Sequence, residues 1–176
     1  MLITIRHGRT DYNEKRVFSG TGDVPRLTKQ AHLDAYELGK ELKKYNLDIA
    51  IVSPLTRAKE TFEELNKSLN IEMKVDDLLI ERNFKDYEGK PIALLDPSIY
   101  WDMDNNSYEI EVLEEFANRI ELALNKIKET YKDKNILIVA HSGVCRAIKY
   151  LIEGKVNRKW YTYSMENLKA YVYKEW

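Results

Sequence analysis

Arg6, His7 and Gly8 stand together after the short apolar run Leu2-Ile3-Thr4-Ile5. A cation, an imidazole and a residue without a side chain are thereby delivered at the end of an expected strand. A second imidazole, His141, follows Ile136-Leu137-Ile138-Val139-Ala140 and precedes Ser142-Gly143. Two histidines at two strand ends point to one site assembled from distant parts of the chain. The arginine beside the first points to an anionic ligand, above all a phosphate. Arg57 lies early in a helix expected to begin at Ser53-Pro54, where the helix amino terminus already favours an anion; the plainer alternative is a surface arginine paired with Glu60 or Glu64. Glu81 closes the apolar run Leu78-Leu79-Ile80, where a partly desolvated carboxyl is usable as a proton donor, the alternative being a salt bridge with Arg82 or Arg119. Asn13 and Ser19-Gly20 are open between turn chemistry and hydrogen-bond donation to an oxyanion. His32, on the polar face of a helix, reads as an ordinary surface histidine, and Cys145 as a small core residue.

These residues need elements to position them. Thr28 can cap a helix in which Ala31, Ala35, Leu38 and Leu42 recur at helical spacing. Ile49-Ala50-Ile51-Val52 reads as a buried strand, and Pro54 as the first helical residue after it. Ala58, Phe62, Leu65 and Leu69 repeat the helical spacing, and a weaker strand covers Met73 to Val75. The stretch from Gly8 to Asp23 holds too many turn formers for regular structure. Residues 82–108, with Gly89, Pro91, Pro97 and several aromatics, are expected to form a short lid-like insertion, the aromatics being open between a minor core and a substrate cover. A long helix runs from Glu109 to about Tyr131, followed by the strand 136–140 and a helix that stops near Gly154. The tail from Leu168 to Tyr173 has strand composition, and the aromatic-rich segment from Trp160 to Trp176 is expected to form an interface or an edge strand. Alternating strands and helices predict an α/β three-layer sandwich, with a mostly parallel central sheet and helices on both faces. In such sheets ligands bind beyond the carboxyl ends of the strands, which is where Arg6-His7, Ser53 to Arg57, Glu81 and His141 fall. Residues 1–176 are expected to form a single domain.

Composition narrows the function. The 176 residues are 44% hydrophobic and 32% charged, as in a globular protein. With 28 basic and 29 acidic residues the net charge is -1, so no global field attracts nucleic acid or a membrane surface. One cysteine fits a reducing compartment. Strand-like sequence from Leu2 leaves no room for a signal peptide, and no apolar run approaches the ~20 residues of a membrane span. The expected location is the cytoplasm. There is no G-x-x-x-x-G-K-[ST] phosphate loop, and Ala140 and Val144 stand where a nucleophile elbow around Ser142 would need glycines. Leu151 stands where a cysteine phosphatase would need an arginine after Cys145. Three histidines and one cysteine, widely separated, make a poor metal inventory.

The run Arg6-His7-Gly8-Arg9-Thr10-Asp11-Tyr12-Asn13 resembles the signature of the histidine phosphatase superfamily, also called the phosphoglycerate mutase-like family. The resemblance continues through Phe18-Ser19-Gly20 with Asp23-Val24-Pro25, through Ser53-Pro54-Leu55-Thr56-Arg57-Ala58 with Thr61, through Glu81 with Phe84 and Tyr87-Glu88-Gly89, and through Ala140-His141-Ser142-Gly143-Val144 with Arg146. It implies the phosphoglycerate mutase-like fold. It further implies that His7 is the nucleophile and Glu81 the acid that protonates the leaving oxygen. Arg6, Arg57, His141 and Asn13 would hold the phosphoryl oxygens, and Thr10, Ser19, Gly20 and Ser142 would line the substrate. Phosphoryl transfer depends mainly on positioning and fixed positive charge, so the implied enzyme needs no metal and no cofactor.

Arg9, Arg26 and Lys85 depart from the family pattern, and their added charge near the expected rim bears on substrate class. Mutases of the family carry a longer segment between the acid and the second histidine. Here 60 positions separate Glu81 from His141 (141 − 81), which favours hydrolysis by a phosphomonoesterase of small phosphorylated metabolites. The alternatives are a phosphoglycerate-type mutase and a non-catalytic phosphate-binding module; the latter would have lost His7, Glu81 or an arginine. The expected partner is the small substrate alone, with no nucleic acid and no membrane, and with the protein a monomer or homodimer.

Overall fold

The computed structural model describes residues 1–157 and 159–176. Its strands and helices are β1 (Leu2–Arg6), α1 (Asp11–Lys15), α2 (Lys29–Leu42), β2 (Ile49–Val52), α3 (Thr56–Leu69), β3 (Glu72–Val75), α4 (Leu113–Thr130), β4 (Ile136–Ala140), α5 (Ser142–Ile152) and β5 (Ala170–Tyr173). Five strands form one sheet in the order β3-β2-β4-β1-β5. β1 pairs with β4, and β2 with β3 and β4, all parallel, while β5 closes the edge antiparallel to β1.

The pleat sends alternate side chains to opposite faces, and both faces are covered. Leu2, Ile49, Ile51, Ile136 and Ile138 pack against Phe116, Ile120 and Ile127 of α4 and Val144, Ala147 and Ile148 of α5. Ile3, Ile5, Ala50, Val52, Leu137 and Val139 pack against Leu42 of α2 and Ala58, Phe62 and Leu65 of α3. This is the expected three-layer sandwich. β2 and β4 are buried at every residue, which explains their nearly continuous apolar sequence.

Four details differ from the sequence expectation. The glycine-containing stretch after β1 does hold regular structure, because Thr10 and Asn13 form a reciprocal cap on α1: the Asn13 amide N–H donates to Thr10 Oγ1 at 3.3 Å, and the Thr10 N–H donates to Asn13 Oδ1 at 3.1 Å. α3 begins at Thr56 with Leu55 as its cap residue, so Pro54 lies outside it. The cap is supplied instead by Asp23, whose carboxylate accepts from the Thr56 backbone N–H at 2.7 Å and from its hydroxyl at 2.6 Å. α4 starts at Leu113 and not at Glu109, whose φ of 55° is left-handed and incompatible with a helix interior. The aromatic tail is divided. Trp160 is fully buried, stacking on Tyr150 and Phe116, and Tyr161 beside it is also core, so only β5 serves as an edge.

Residues 82–108 carry short 3-10 turns at Lys85–Tyr87, Ile92–Leu94 and Pro97–Tyr100. They are knit by a separate apolar cluster of Phe18, Phe84, Leu95, Ile99 and Ile110. Phe84 belongs to this minor core with Tyr87, Tyr100 and Tyr108 packed against it, while Phe84 and Tyr100 also line the cavity beyond the strand ends and Trp101 is exposed. Among the described residues no helix is long and apolar enough to cross a membrane.

Candidate active site

Beyond the carboxyl ends of β1, β2 and β4 lies a cavity of about 410 Å³. Arg6, His7, Asn13, Ser19, Gly20, Arg57, Glu81 and Ser142 all line it. β1 delivers Arg6 and His7, and the His7 backbone N–H continues the ladder to the Ala140 carbonyl at 2.9 Å. His141 sits one layer behind. It is fully buried, its ring meets that of His7 edge-on at 5.3 Å and 61°, and its Nε2 pairs with Ser53 Oγ at 2.6 Å. Thr10 is likewise buried behind the wall, its hydroxyl committed to the α1 cap.

The His7 Nδ1 lies 2.7 Å from the Gly8 carbonyl. A carbonyl only accepts, so Nδ1 carries the proton and Nε2 the lone pair. Burial first, then the Arg57 and Arg6 charges, hold the His7 imidazole well below its ordinary range. Burial and the same arginines do the same to His141.

Arg57 is fully buried. Its Nη1 and Nη2 donate to the Gly22 and Gly20 carbonyls at 2.8 and 2.7 Å, and burial lowers it to about 10, still protonated at neutral pH. Arg6 donates through Nη1 to the Met165 carbonyl at 2.8 Å. The Nε atoms of both arginines are buried without a partner, and among the described residues neither arginine forms an ion pair. Two desolvated cations with no carboxylate in contact are costly; the charge of Glu81 acts on both from a distance, and an arriving oxyanion offsets the remaining cost.

Glu81 is held from two sides: its Oε1 accepts from the Arg82 backbone N–H at 3.0 Å and its Oε2 from the Gly143 N–H at 3.0 Å, at the start of α5. The alternative reading, a salt bridge with Arg82 or Arg119, is not formed among the described residues; Arg119 pairs with Glu111 at 2.9 Å. A side chain at 143 would place its Cβ 2.3 Å from Glu81 Oε1, so only glycine lets α5 abut the carboxylate. The loop at 19–22 is clamped by Glu88, which accepts from the Thr21 and Gly22 N–H groups at 2.7 and 2.8 Å. Gly20 has a φ of 47°, and its Cβ would lie 1.9 Å from Glu88 Oε1.

Asn167 carried no signal in the sequence, yet its Nδ2 donates to the His7 carbonyl at 2.8 Å and reaches Asn13 Oδ1 at 3.4 Å. With Oδ1 so engaged, the Asn13 side chain presents its NH₂ as the remaining donor. Arg146, Tyr161 and Thr162 also line the cavity. Of these only Arg146 figured in the sequence pattern, because the buried turn at 160–162 reads locally as an aromatic tail.

A family model described as the histidine phosphatase superfamily (branch 1) matches residues 2–174. The chain belongs to that superfamily. Phosphatase PhoE of Bacillus subtilis (strain 168), itself described as uncharacterized, is 35% identical over 153 residues, covering 87% of this chain and 77% of that protein. A 2,3-bisphosphoglycerate-dependent phosphoglycerate mutase of Parvibaculum lavamentivorans is 31% identical over 166 residues, covering 84% and 77%. The solved structure of YhfR from Bacillus stearothermophilus matches with a TM-score of 0.83 at 25% identity, over 96% of this chain and 88% of that one.

In this histidine phosphatase the three departures from the family pattern make contacts of their own outside the cavity lining. Arg26 folds back onto the carbonyls of Asp23, Val24 and Pro25, Arg9 lies 3.9 Å from Glu14 on the surface, and Lys85 takes a left-handed turn with its N–H on Asn83 Oδ1. None of the three lines the cavity. His32 pairs with Glu64 at 3.2 Å. Cys145 is core, and burial pushes its thiol up to about 12.

Proposed function

We propose that this phosphoric monoester hydrolase works without a metal, through a phosphohistidine formed on His7. The observation that carries the reading is the tautomer: Nδ1–H is spent on the Gly8 carbonyl, so the ring offers Nε2 as a nucleophile beside two unpaired arginines. Nε2 forms a bond to phosphorus as the ester P–O bond breaks, and the Glu81 carboxyl gives its proton to the leaving oxygen. The phosphorylated ring is cationic, and the Gly8 carbonyl stabilises its Nδ1–H. Water then attacks phosphorus, Glu81 takes the proton of that water, the P–N bond breaks and inorganic phosphate leaves. Arg6, Arg57 and the Asn13 NH₂ supply fixed donors for the charge on the phosphoryl oxygens. His141 backs the His7 ring.

The cavity volume suits a small phosphorylated metabolite. The single cysteine is free and buried, which fits the cytoplasm. A phosphoglycerate-type mutase is the second reading, favoured by the mutase relative, and it would differ only in passing the phosphoryl group to an alcohol in place of water. Hydrolysis of an aryl phosphate with a strong chelator present tests the proposal, wild type beside His7→Ala. Chelator-resistant phosphate release that vanishes in the variant is expected; activity lost to the chelator, or retained by His7→Ala, would refute it.

A further inference from the structure

Tyr161 lines the cavity, yet the phosphohistidine route leaves it without a task. Only 3% of the residue is exposed. Its ring stacks on Tyr100 at 5.8 Å and 16°, and meets Phe116 and Trp160 edge-on at 6.1 and 5.3 Å. The guanidinium groups of Arg82 and Arg146 each lie 5.2 Å from its centre. A ring so held fixes where its hydroxyl stands. That hydroxyl has no hydrogen-bond partner among the described residues, and a buried hydroxyl calls for one. Its place is beside the acid. The Cβ of a side chain at 143 would lie 2.3 Å from Glu81 Oε1 and 2.8 Å from the Tyr161 hydroxyl oxygen, so both oxygens border one small space above Gly143. No hydrogen bond joins them directly, and two oxygens so placed are near enough to share a single water. Burial first, then the Glu81 charge, push the Tyr161 hydroxyl above its ordinary range. It stays protonated and neutral, so it orients a partner without acting as a base.

We propose that Tyr161 positions the water that attacks the phosphohistidine. The inference rests on the phosphohistidine reading, in which Glu81 takes a proton from that water. Water carries two protons. One goes to Glu81, and the other, donated to the Tyr161 oxygen, leaves a lone pair turned toward phosphorus. Glu81 Oε1 has a second lone pair for its part, beside the one engaged by the Arg82 N–H. The water oxygen then bonds to phosphorus, and the P–N bond breaks with its electron pair returning to His7 Nε2. Glu81 gains one proton, and inorganic phosphate leaves with the other. The first step needs no such contact, because the leaving oxygen carries carbon where water carries its second proton. An alcohol acceptor is that same step in reverse. The Tyr161 hydroxyl therefore favours hydrolysis over transfer to an alcohol.

The test compares the full chain with its Tyr161→Phe variant, using 4-nitrophenyl phosphate as donor with and without methanol. Rapid mixing follows nitrophenol release for the first step and decay of the phosphohistidine for the second. Tyr161→Phe should leave the first rate unchanged and slow the second by about threefold to tenfold, the size of one neutral hydrogen bond. In methanol the ratio of methyl phosphate to inorganic phosphate should rise by the same factor, because hydrolysis falls while methanolysis holds. That ratio does not depend on how much of the variant is folded. Equal slowing of both steps, the result of a merely structural role, would overturn the proposal. So would a second step that is not slowed, or a ratio that stays constant or rises only through faster methanolysis. The phosphohistidine reading fails on different results, retention of 4-nitrophenyl phosphate hydrolysis in His7→Ala or a wild type that forms no phosphohistidine, and the proposal falls with it.

Discussion

His7 is kept neutral by its surroundings, and a neutral imidazole is what a nucleophile must be. The sign follows directly. Burial and two arginines lower the His7 pKa from an ordinary 6.5, so the ring is protonated only at pH values below that, and the acid limb of kcat/KM should lie below 6.5. A pH profile with a substrate of constant charge checks this, and an acid limb at or above 6.5 would contradict it. The residues legible in the sequence carried a local signal. Arg6 and His7 end the apolar run of β1, and Arg57 lies in the first turn of a helix. Glu81 ends the apolar run Leu78-Leu79-Ile80, which lies at a 3-10 turn at Asp77–Leu79 and not at a strand. Asn167 and Tyr161 carried none. Each acts through a contact with a residue far away in the chain, Asn167 with the His7 carbonyl and Tyr161 with Gly143, and no local pattern encodes such a partner.

The substrate loop and the start of α3 are one construction. Arg57 donates to the Gly20 and Gly22 carbonyls, Glu88 accepts from the N–H groups of Thr21 and Gly22, and Asp23 caps α3. Gly20→Ala forces a side chain into the Glu88 carboxylate and a left-handed φ onto alanine, at ~1–2 kcal/mol for the backbone alone. Displaced by an ångström, the loop and Arg57 would misalign the phosphoryl group, and kcat/KM should fall ~100-fold with the thermal midpoint lowered only slightly. Steady-state kinetics beside a melting curve separates the two effects; unchanged kinetics would show that the clamp is not used. The helix positions here were legible, since Ala58, Phe62 and Leu65 repeat at helical spacing. The start of α3 was not, because the residue that caps it is Asp23, thirty-three positions earlier.

Across the whole molecule, parallel pairing brings the carboxyl ends of β1, β2 and β4 to one rim, and the site is the consequence. The three-layer architecture could be read from the alternation of strands and helices. The sheet order could not, because β4 is inserted between β1 and β2 and the sequence separates them by most of the chain. Trp160 ties this architecture to the site, since it packs in the core under α4 and α5 while its neighbour Tyr161 forms a cavity wall. Trp160→Ala should cost about 3–5 kcal/mol of stability by urea unfolding, a large share of the ~5–15 kcal/mol of a typical domain. Leu122→Ala, on an exposed face at 60% accessibility, should cost less than ~0.5 kcal/mol. Equal losses would mean that the turn at 160–162 is not part of the core.

The central claim is a phosphoryl group carried on His7, and trapping it is the most direct measurement. An aryl phosphate has a good leaving group and needs little help from the acid, so Glu81→Gln should pass through the first step and stall at the second. Rapid mixing of Glu81→Gln with 4-nitrophenyl phosphate, an alkaline quench and peptide mass spectrometry should find one phosphoryl group on the peptide that contains His7, with a burst of nitrophenol matching the enzyme concentration. An absence of burst and of modified peptide, in a variant that still turns over, would contradict the phosphohistidine route.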